Sequence, residues 1–315
     1  MSGTITIPVL SGQKLFAGDP AEIAALRRAA ERHGFLYLVD HGIDPALIAG
    51  VFEQAHAFFA RPDADKDAVH LDRTRHRLGW EPLKAQTLEE GSPPDLKEGF
   101  YVGPDVTADD PRVLAGRFGV GPNQWPGDMP EFQATMNAYF TAAASLAADV
   151  MGALALALDL PGDYFDDFNR DASCRLRLLH YPPQPANPQP GEKGCGAHTD
   201  FGSVTLLLQD EAGGLQVQDV VTGEWIDAPP IAGAYVVNLG DLIARWTNHR
   251  FQSNPHRVIN RSGKERYSVP FFFTGNPDYV VECLPTCLAP GETPKYPPIT
   301  TERHLAESYA RTYGG

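Results

Sequence analysis

The chain has 315 residues, of which 43% are hydrophobic and 21% charged, and its formal net charge is -14. That is globular composition, long enough to bury a core without disulfide or metal staples. The acidity works against a phosphate-backbone partner, so no nucleic acid is expected. The opening MSGTITIPVL lacks the basic-then-apolar pattern of a signal peptide. The longest apolar run, MGALALALDL, breaks at Asp159 and Pro161, short of a bilayer, so no membrane is expected.

In chain order, Asp19-Pro20-Ala21-Glu22 reads as a capped helix start, with Ile23, Leu26 and Ala30 on its apolar face and Gly34 at its end. FLYLV (35–39) reads as a buried strand. A second helix begins at Asp44-Pro45, with Leu47, Ile48, Val51, Phe52, Ala55 and Phe59 at helical spacing. Residues 61–128 are polar, rich in Pro and Gly, and without a strong period. A long helix is predicted from about Pro130 to Leu158, with Phe132, Met136, Tyr139, Ala143, Leu146 and Leu154 on one side.

From Arg175 the pattern turns to short strands separated by turn residues: RLRLLHY, SVTLLLQD, GLQVQ, EWIDA, AYVVNL, HRVIN and RYSVPFFF. This spacing predicts a sandwich or barrel, mainly β, with helices packed around one antiparallel core. ERHLAESYARTY returns to helix, with Leu305, Tyr309 and Tyr313 four apart. We divide the chain into a helix/strand region, 1–128, and a β core with the long helix and the C-terminal helix, 129–315, together one compact unit.

The cysteines Cys174, Cys195, Cys283 and Cys287 form no CxxC pair. A thiolate metal site is not expected; reduced thiols and a cytoplasmic location are. Cys195 is assigned to packing. Among the histidines, His33, His56 and His304 fall in helices, and His41 and His249 beside turn residues. His198 and Asp200 in GAHTDFGSVTLLLQD differ. Residues two apart on a strand share a face, so an imidazole and a carboxylate can grip one ion. His256 in NPHRVIN is the candidate third ligand, which would complete the two-His-one-carboxylate set of non-haem Fe(II) oxygenases. Asp200 as the cap of the following turn is an equal alternative on these residues alone.

HRVIN, RSGKE and RYSVPFFF are expected to form a hairpin with a loop from Ser262 to Lys264. His256 then faces Pro270, Val258 faces Ser268, and Asn260 faces Arg266. His256, Arg266 and Ser268 would line one cavity. A buried arginine needs an anion, and its fork beside a hydroxyl suits a carboxylate such as that of 2-oxoglutarate. With a turn one residue longer, Arg266 would be a surface arginine.

Together these stretches resemble the iron(II)- and 2-oxoglutarate-dependent dioxygenases of the isopenicillin N synthase-like family. GFLYLVDHGI, GWEP, DLKEGFYVG, HYPPQP, AHTDFGSVTLLLQDEAGGLQV, VNLGDLIARWTN, SNPHRV and RYSVPFFF follow in the family's order over nearly the whole chain. The resemblance implies a double-stranded β-helix, or jelly roll, with flanking helices. It implies Fe(II) on His198, Asp200 and His256, and 2-oxoglutarate on Arg266, Ser268 and Tyr181, with O2 as the second co-substrate. It also implies oxidation of a C–H bond of a small molecule by hydroxylation, desaturation or ring formation, with succinate and CO2 released. Alternation puts Arg177, Leu179 and Tyr181 on one face of RLRLLHY and His180 on the other, outside the site. Many plant members carry Asn where Leu179 stands. The retained Asp200 argues against a halogenase.

For the prime substrate, Phe201 follows the ligand motif and Phe272 continues the face of Arg266 and Ser268. Leu215 and Val258 fall where family members line their pockets. The C-terminal helix, from about Thr301, is expected either to close the mouth as a lid or only to cover the barrel. Three readings compete with the dioxygenase: an oxidase on the same scaffold that needs no 2-oxo acid, a non-catalytic ligand-binding protein, and a zinc hydrolase, for which no HExxH motif is present. The oligomeric state is not legible.

Overall fold

The structure is a computed structural model and describes residues 6–313, except for the side chain of Tyr313. Residues 1–5 of the opening stretch and the Tyr313 contact therefore lie outside the described residues. The chain begins with β1 (Val9–Ser11), α1 (Gly12–Phe16), α2 (Pro20–Arg32), β2 (Phe35–Val39) and α3 (Pro45–Phe59). Helix starts follow the sequence signals: Asp19 accepts from the Ala21 and Glu22 amides, and Asp44 from Ala46. The stretch read as irregular holds α4 (Asp63–Lys66), β3 (Gly79–Glu81), β4 (Glu98–Val102) and α5 (Pro111–Leu114). These elements are too short to impose a period on the sequence.

Then come α6 (Pro130–Ala157), α7 (Asp166–Asn169), β5 (Ser173–Tyr181), β6 (Cys195–His198), β7 (Val204–Gln209), β8 (Leu215–Gln218), β9 (Trp225–Asp227) and β10 (Tyr235–Leu239). α8 (Asp241–Trp246), β11 (His256–Val258), β12 (Arg266–Gly275), β13 (Val280–Val281), β14 (Ile299–Thr300) and α9 (Thr301–Tyr313) complete the order. An eight-stranded sheet runs β1-β2-β10-β7-β12-β5-β4-β3, and a four-stranded sheet runs β6-β11-β8-β9. Strands from the N-terminal region thus join the same sheet as the β core.

Side-chain alternation splits the large sheet into two environments. Leu36, Leu38, Leu176, Leu178, Leu206, Val237, Val269 and Phe271 point outward into a core shared with α2, α3 and α6. Phe35, Tyr37, Leu179, Tyr181 and Val236 point inward, against Cys195, Leu215, Val217 and Val258 of the small sheet. Two sheets packed face to face with helices on one outer face form the expected jelly roll. α6 is the helix predicted from about Pro130, and Phe132, Met136, Tyr139, Ala143, Leu146 and Leu154 are all buried. By length and composition it could cross a membrane, unlike the shorter run read from the sequence. Here it serves as the central core helix.

The hairpin expected between HRVIN and RYSVPFFF does not form. β11 pairs with β6 and β8 in the small sheet, whereas β12 pairs with β5 and β7 in the large one. His256, Val258 and Asn260 therefore do not oppose Pro270, Ser268 and Arg266. The chain crosses from one sheet to the other through 259–265, and Asn260 organises the crossing. Its amide donates to the carbonyls of Tyr181, Pro182 and Lys264, and its oxygen accepts from Ser262. The inward faces of two opposed sheets meet, so His256 and Arg266 still look into one interior.

On the outer face, His180 ties three strands together. Its Nδ1 contacts Glu98 of β4 at 2.8 Å, its Nε2 contacts Glu265 just before β12, and its ring stacks on Tyr267 at 4.8 Å. Glu98 also accepts from Lys66 and the Trp80 indole, each at 2.7 Å. Burial works against the His180 charge, but the two carboxylates outweigh it, and its pKa is raised above 6.5. A raised folded value means this stabilisation is fully present below 6.5 and fades as pH rises through the folded pKa. We therefore expect His180→Gln to lower Tm most at about pH 6 and least at about pH 9, measured by calorimetry across that range. An equal loss of Tm at both ends would contradict the charged reading.

Candidate active site

His198 closes β6 and Asp200 stands in the turn after it, not on the strand itself. The turn is held by the one at the end of β10: the Asp241 amide donates to the Asp200 carbonyl at 2.8 Å and the Leu242 amide to the Gly202 carbonyl at 3.1 Å. A Cβ on Gly240 would come within 2.7 Å of the Asp200 carbonyl oxygen. Glycine is needed there because two backbones touch.

His198, Asp200 and His256 offer ligand atoms within 4.8 Å of one another. Asp200 Oδ1 faces His198 Nε2 at 3.9 Å and His256 Nε2 at 3.8 Å. The other ring nitrogens turn away: His198 Nδ1 lies 2.8 Å from the Gly196 carbonyl and His256 Nδ1 3.5 Å from the Asn254 carbonyl. Each imidazole can thus carry its proton on Nδ1 and present the Nε2 lone pair to an ion. Asp200 Oδ2 accepts from Thr205 Oγ1 at 2.6 Å and Asn238 Nδ2 at 2.7 Å, which leaves Oδ1 for the ion. Burial pushes the His198 pKa down, and burial with the neighbouring His198 pushes His256 down to about 4. Burial opposes ionisation of Asp200, but His256, His198 and the two donors prevail and lower its pKa. Neutral imidazoles and an ionised carboxylate are the forms that bind a divalent cation. As a turn cap, Asp200 would instead be expected to engage the amides that follow it.

Arg266 is fully buried. Its Nε donates to the Gly213 carbonyl at 2.6 Å and one Nη reaches Gln209 Oε1 at 3.4 Å. Its Nη1 and the Ser268 hydroxyl have no hydrogen-bond partner. A buried guanidinium without a carboxylate among the described residues, beside a buried hydroxyl, fits the distal carboxylate of a 2-oxo acid. Tyr181 sits beside Arg266 in the sheet register, and the guanidinium lies 4.6 Å over its ring. Leu179 is opposite Ser268 and forms an apolar wall.

Phe201 and Phe272 are partly exposed, and the Phe201 ring meets Tyr309 of α9 at 5.2 Å. Leu215 and Val258 are buried in the apolar cluster with Tyr181 and Leu179, on the Arg266 side of the interior. α9 lies across the rim: His304 Nε2 meets the Phe201 carbonyl at 3.0 Å, and Tyr309 packs on Phe118 at 5.0 Å. Cys195 is more than filler. Its Sγ lies 3.6 Å from the buried Lys97 ammonium and 3.8 Å from His198 Nδ1.

Sequence reasoning missed Thr205 and Asn238, which hold the carboxylate, and Arg175, Glu81 and Tyr101 on the inner face. A signal was available for some of them. Asn238 interrupts the apolar run AYVVNL, and Arg175 shares the face of Tyr181 by simple alternation.

The model for the 2OG-Fe(II) oxygenase superfamily matches residues 172–275, and that for the non-haem dioxygenase in morphine synthesis N-terminal region matches 7–128. The 2-oxoglutarate-Fe(II) type oxidoreductase hxnY of Emericella nidulans is 46% identical over 98% of this chain and 90% of its own length. The 2-oxoglutarate-dependent dioxygenase citB of Monascus ruber is 44% identical over 91% of this chain and 88% of its own. A full-length Neurospora crassa protein, crystallised with alpha-KG and thymine, superposes with a TM-score of 0.85 at 31% identity, covering 99% of both chains.

Removing the Asn238 amide should leave the buried Asp200 carboxylate one donor short. Asn238→Ala is expected to weaken Fe(II) binding by roughly 10- to 100-fold, read by anaerobic metal titration with the circular dichroism spectrum unchanged. Wild-type affinity in that variant would show that Thr205 alone suffices.

Proposed function

We propose, from the premise that this chain belongs to the 2OG-Fe(II) oxygenase superfamily, that its prime substrate is a compact molecule oxidised in the aromatic-lined space between Phe201, Phe272 and Tyr309. The enzyme is a 2-oxoglutarate-dependent dioxygenase that uses Fe(II) and O2. The observation that carries this activity is the pairing, in one interior, of the three convergent ligand atoms with the unsatisfied Arg266–Ser268 socket. In this reading His198, Asp200 and His256 would hold the metal. Arg266 and Ser268 take the distal carboxylate of 2-oxoglutarate, and Tyr181 walls that end. A metal held there would supply chelation of the 2-oxo acid and O2 activation, with succinate and CO2 as co-products.

The chain's own part is placement. Thr205 and Asn238 keep Asp200 ionised and aimed. The aromatic rings and α9 limit water near the reacting C–H bond, which suits the lid reading of that helix. Family order from GFLYLVDHGI to RYSVPFFF, with the N-terminal match, supports placing the chain in the isopenicillin N synthase-like branch. Free cysteines support a cytoplasmic setting. The Neurospora crassa protein has been crystallised with thymine and with 5-formyluracil, both small molecules, which supports a substrate of similar size.

Two measurements test the reading. Asp200→Ala or His256→Ala should abolish turnover, and Arg266→Ala should raise KM for 2-oxoglutarate by at least tenfold. In a metabolite screen, succinate should form in step with product. Oxidation of substrate without succinate would replace the dioxygenase with an oxidase that needs no 2-oxo acid.

A further inference from the structure

The inner face of the large sheet carries Arg175, Arg177 and Arg266, and buried Lys97 stands just before β4, a total of four cations in a space where charge is costly. Two are paired with carboxylates, and a third is assigned to the co-substrate. Lys97 pairs with Asp95, Arg177 with Glu81 at 3.1 Å, and Arg266 faces the co-substrate socket. Arg175 pairs with no carboxylate among the described residues. One Nη donates to the Gly119 carbonyl at 2.9 Å, and the Tyr309 and Tyr101 phenols and Arg177 are its electrostatic neighbours. Arg175 is half-buried, and burial lowers its pKa.

Its position is informative. Arg175 lies opposite Phe272, Phe272 opposite Thr205, and Thr205 opposite Asn238, so the four form one row across four strands. Thr205 and Asn238 hold the iron-facing carboxylate of Asp200 at one end of that row. Arg175 stands two strand spacings from Thr205, roughly 10 Å. Phe272 lies between them, with Phe201 and Tyr309 meeting nearby. That span accommodates one aromatic ring with a short acidic arm. Arg266 and Ser268 lie farther along β12, so the row is separate from the co-substrate socket.

We propose that Arg175 anchors the carboxylate of the prime substrate, and that this substrate is an aromatic monocarboxylic acid. The guanidinium completes its charge pairing only when substrate arrives, and the ring lies over Phe272 with its oxidisable C–H toward the metal end of the row. The proposal rests on the dioxygenase reading above and names its substrate class.

The test uses the full-length enzyme, anaerobic, with Fe(II) and 2-oxoglutarate. The probes are benzoate, phenylacetate and 3-phenylpropionate, each against its primary amide. Binding is read by perturbation of the iron–2-oxoglutarate charge-transfer absorption and, without iron, by the rise in Tm. At least one acid should bind ten or more times as tightly as its amide. Arg175→Gln should erase that preference and Arg175→Lys should retain part of it. Acids that bind no better than amides, or a preference that survives in Arg175→Gln, would overturn the proposal. Should Arg175→Gln not fold because Gly119 loses its donor, the acid-to-amide ratio of the unaltered enzyme decides by itself. Absence of the charge-transfer band before any acid is added is a different failure, that of the dioxygenase reading.

Discussion

The placement of one carboxylate governs this site. Asp200 is buried between two sheets, where an ionised oxygen is tolerated only if every lone pair is answered. Thr205 and Asn238 answer Oδ2 from adjacent strands of the large sheet, and Oδ1 is left facing two histidines on the small one. The two sheets must therefore keep their spacing and register for the ligand set to exist. The clasp of the 200–202 turn by 240–242, the long core helix behind the large sheet and the Asn260-directed crossing all maintain that registration.

The same sandwich gives one strand two differently lined sides. β12 sends Arg266, Ser268, Pro270 and Phe272 inward in order and Tyr267, Val269, Phe271 and Phe273 into the helix-side core. The polar pair at its start forms the proposed co-substrate socket, and the aromatic at its far end lines the proposed substrate space. A period of two makes this possible, because a strand covered on both faces can still be lined differently on its two sides. Arg175 and Arg177 do the same on β5, sharing their strand with Cys174, Leu176 and Leu178, which are buried against the helices.

His256 and Arg266 look into one interior although the strand pairing expected between them is absent. Alternation correctly set His256 and Val258 on one side of their strand, and Arg266 and Ser268 on one side of theirs. Local proximity suggested a hairpin, yet β11 is three residues long and is held by β6 and β8 instead. Facing sheets replace paired strands, and the interior is shared either way. Strands β3 and β4 escaped notice for the opposite reason. They are short, and much of their burial comes from long-range neighbours that leave no local pattern.

By itself the sequence determined which residues could do chemistry and which side of a strand each occupies, because residue type and the period of two are local properties. It also determined the main helices, through Asp caps, proline starts and apolar spacing. Only the tertiary structure decided what stands across from each of them. That Asp200 is held by Thr205 and Asn238, that Cys195 lies beside Lys97, and that Arg175 faces the interior without a carboxylate all depend on which strands become neighbours. Strand order and sheet facing are settled by burying both faces of the large sheet at once, a global condition that no short window of sequence expresses.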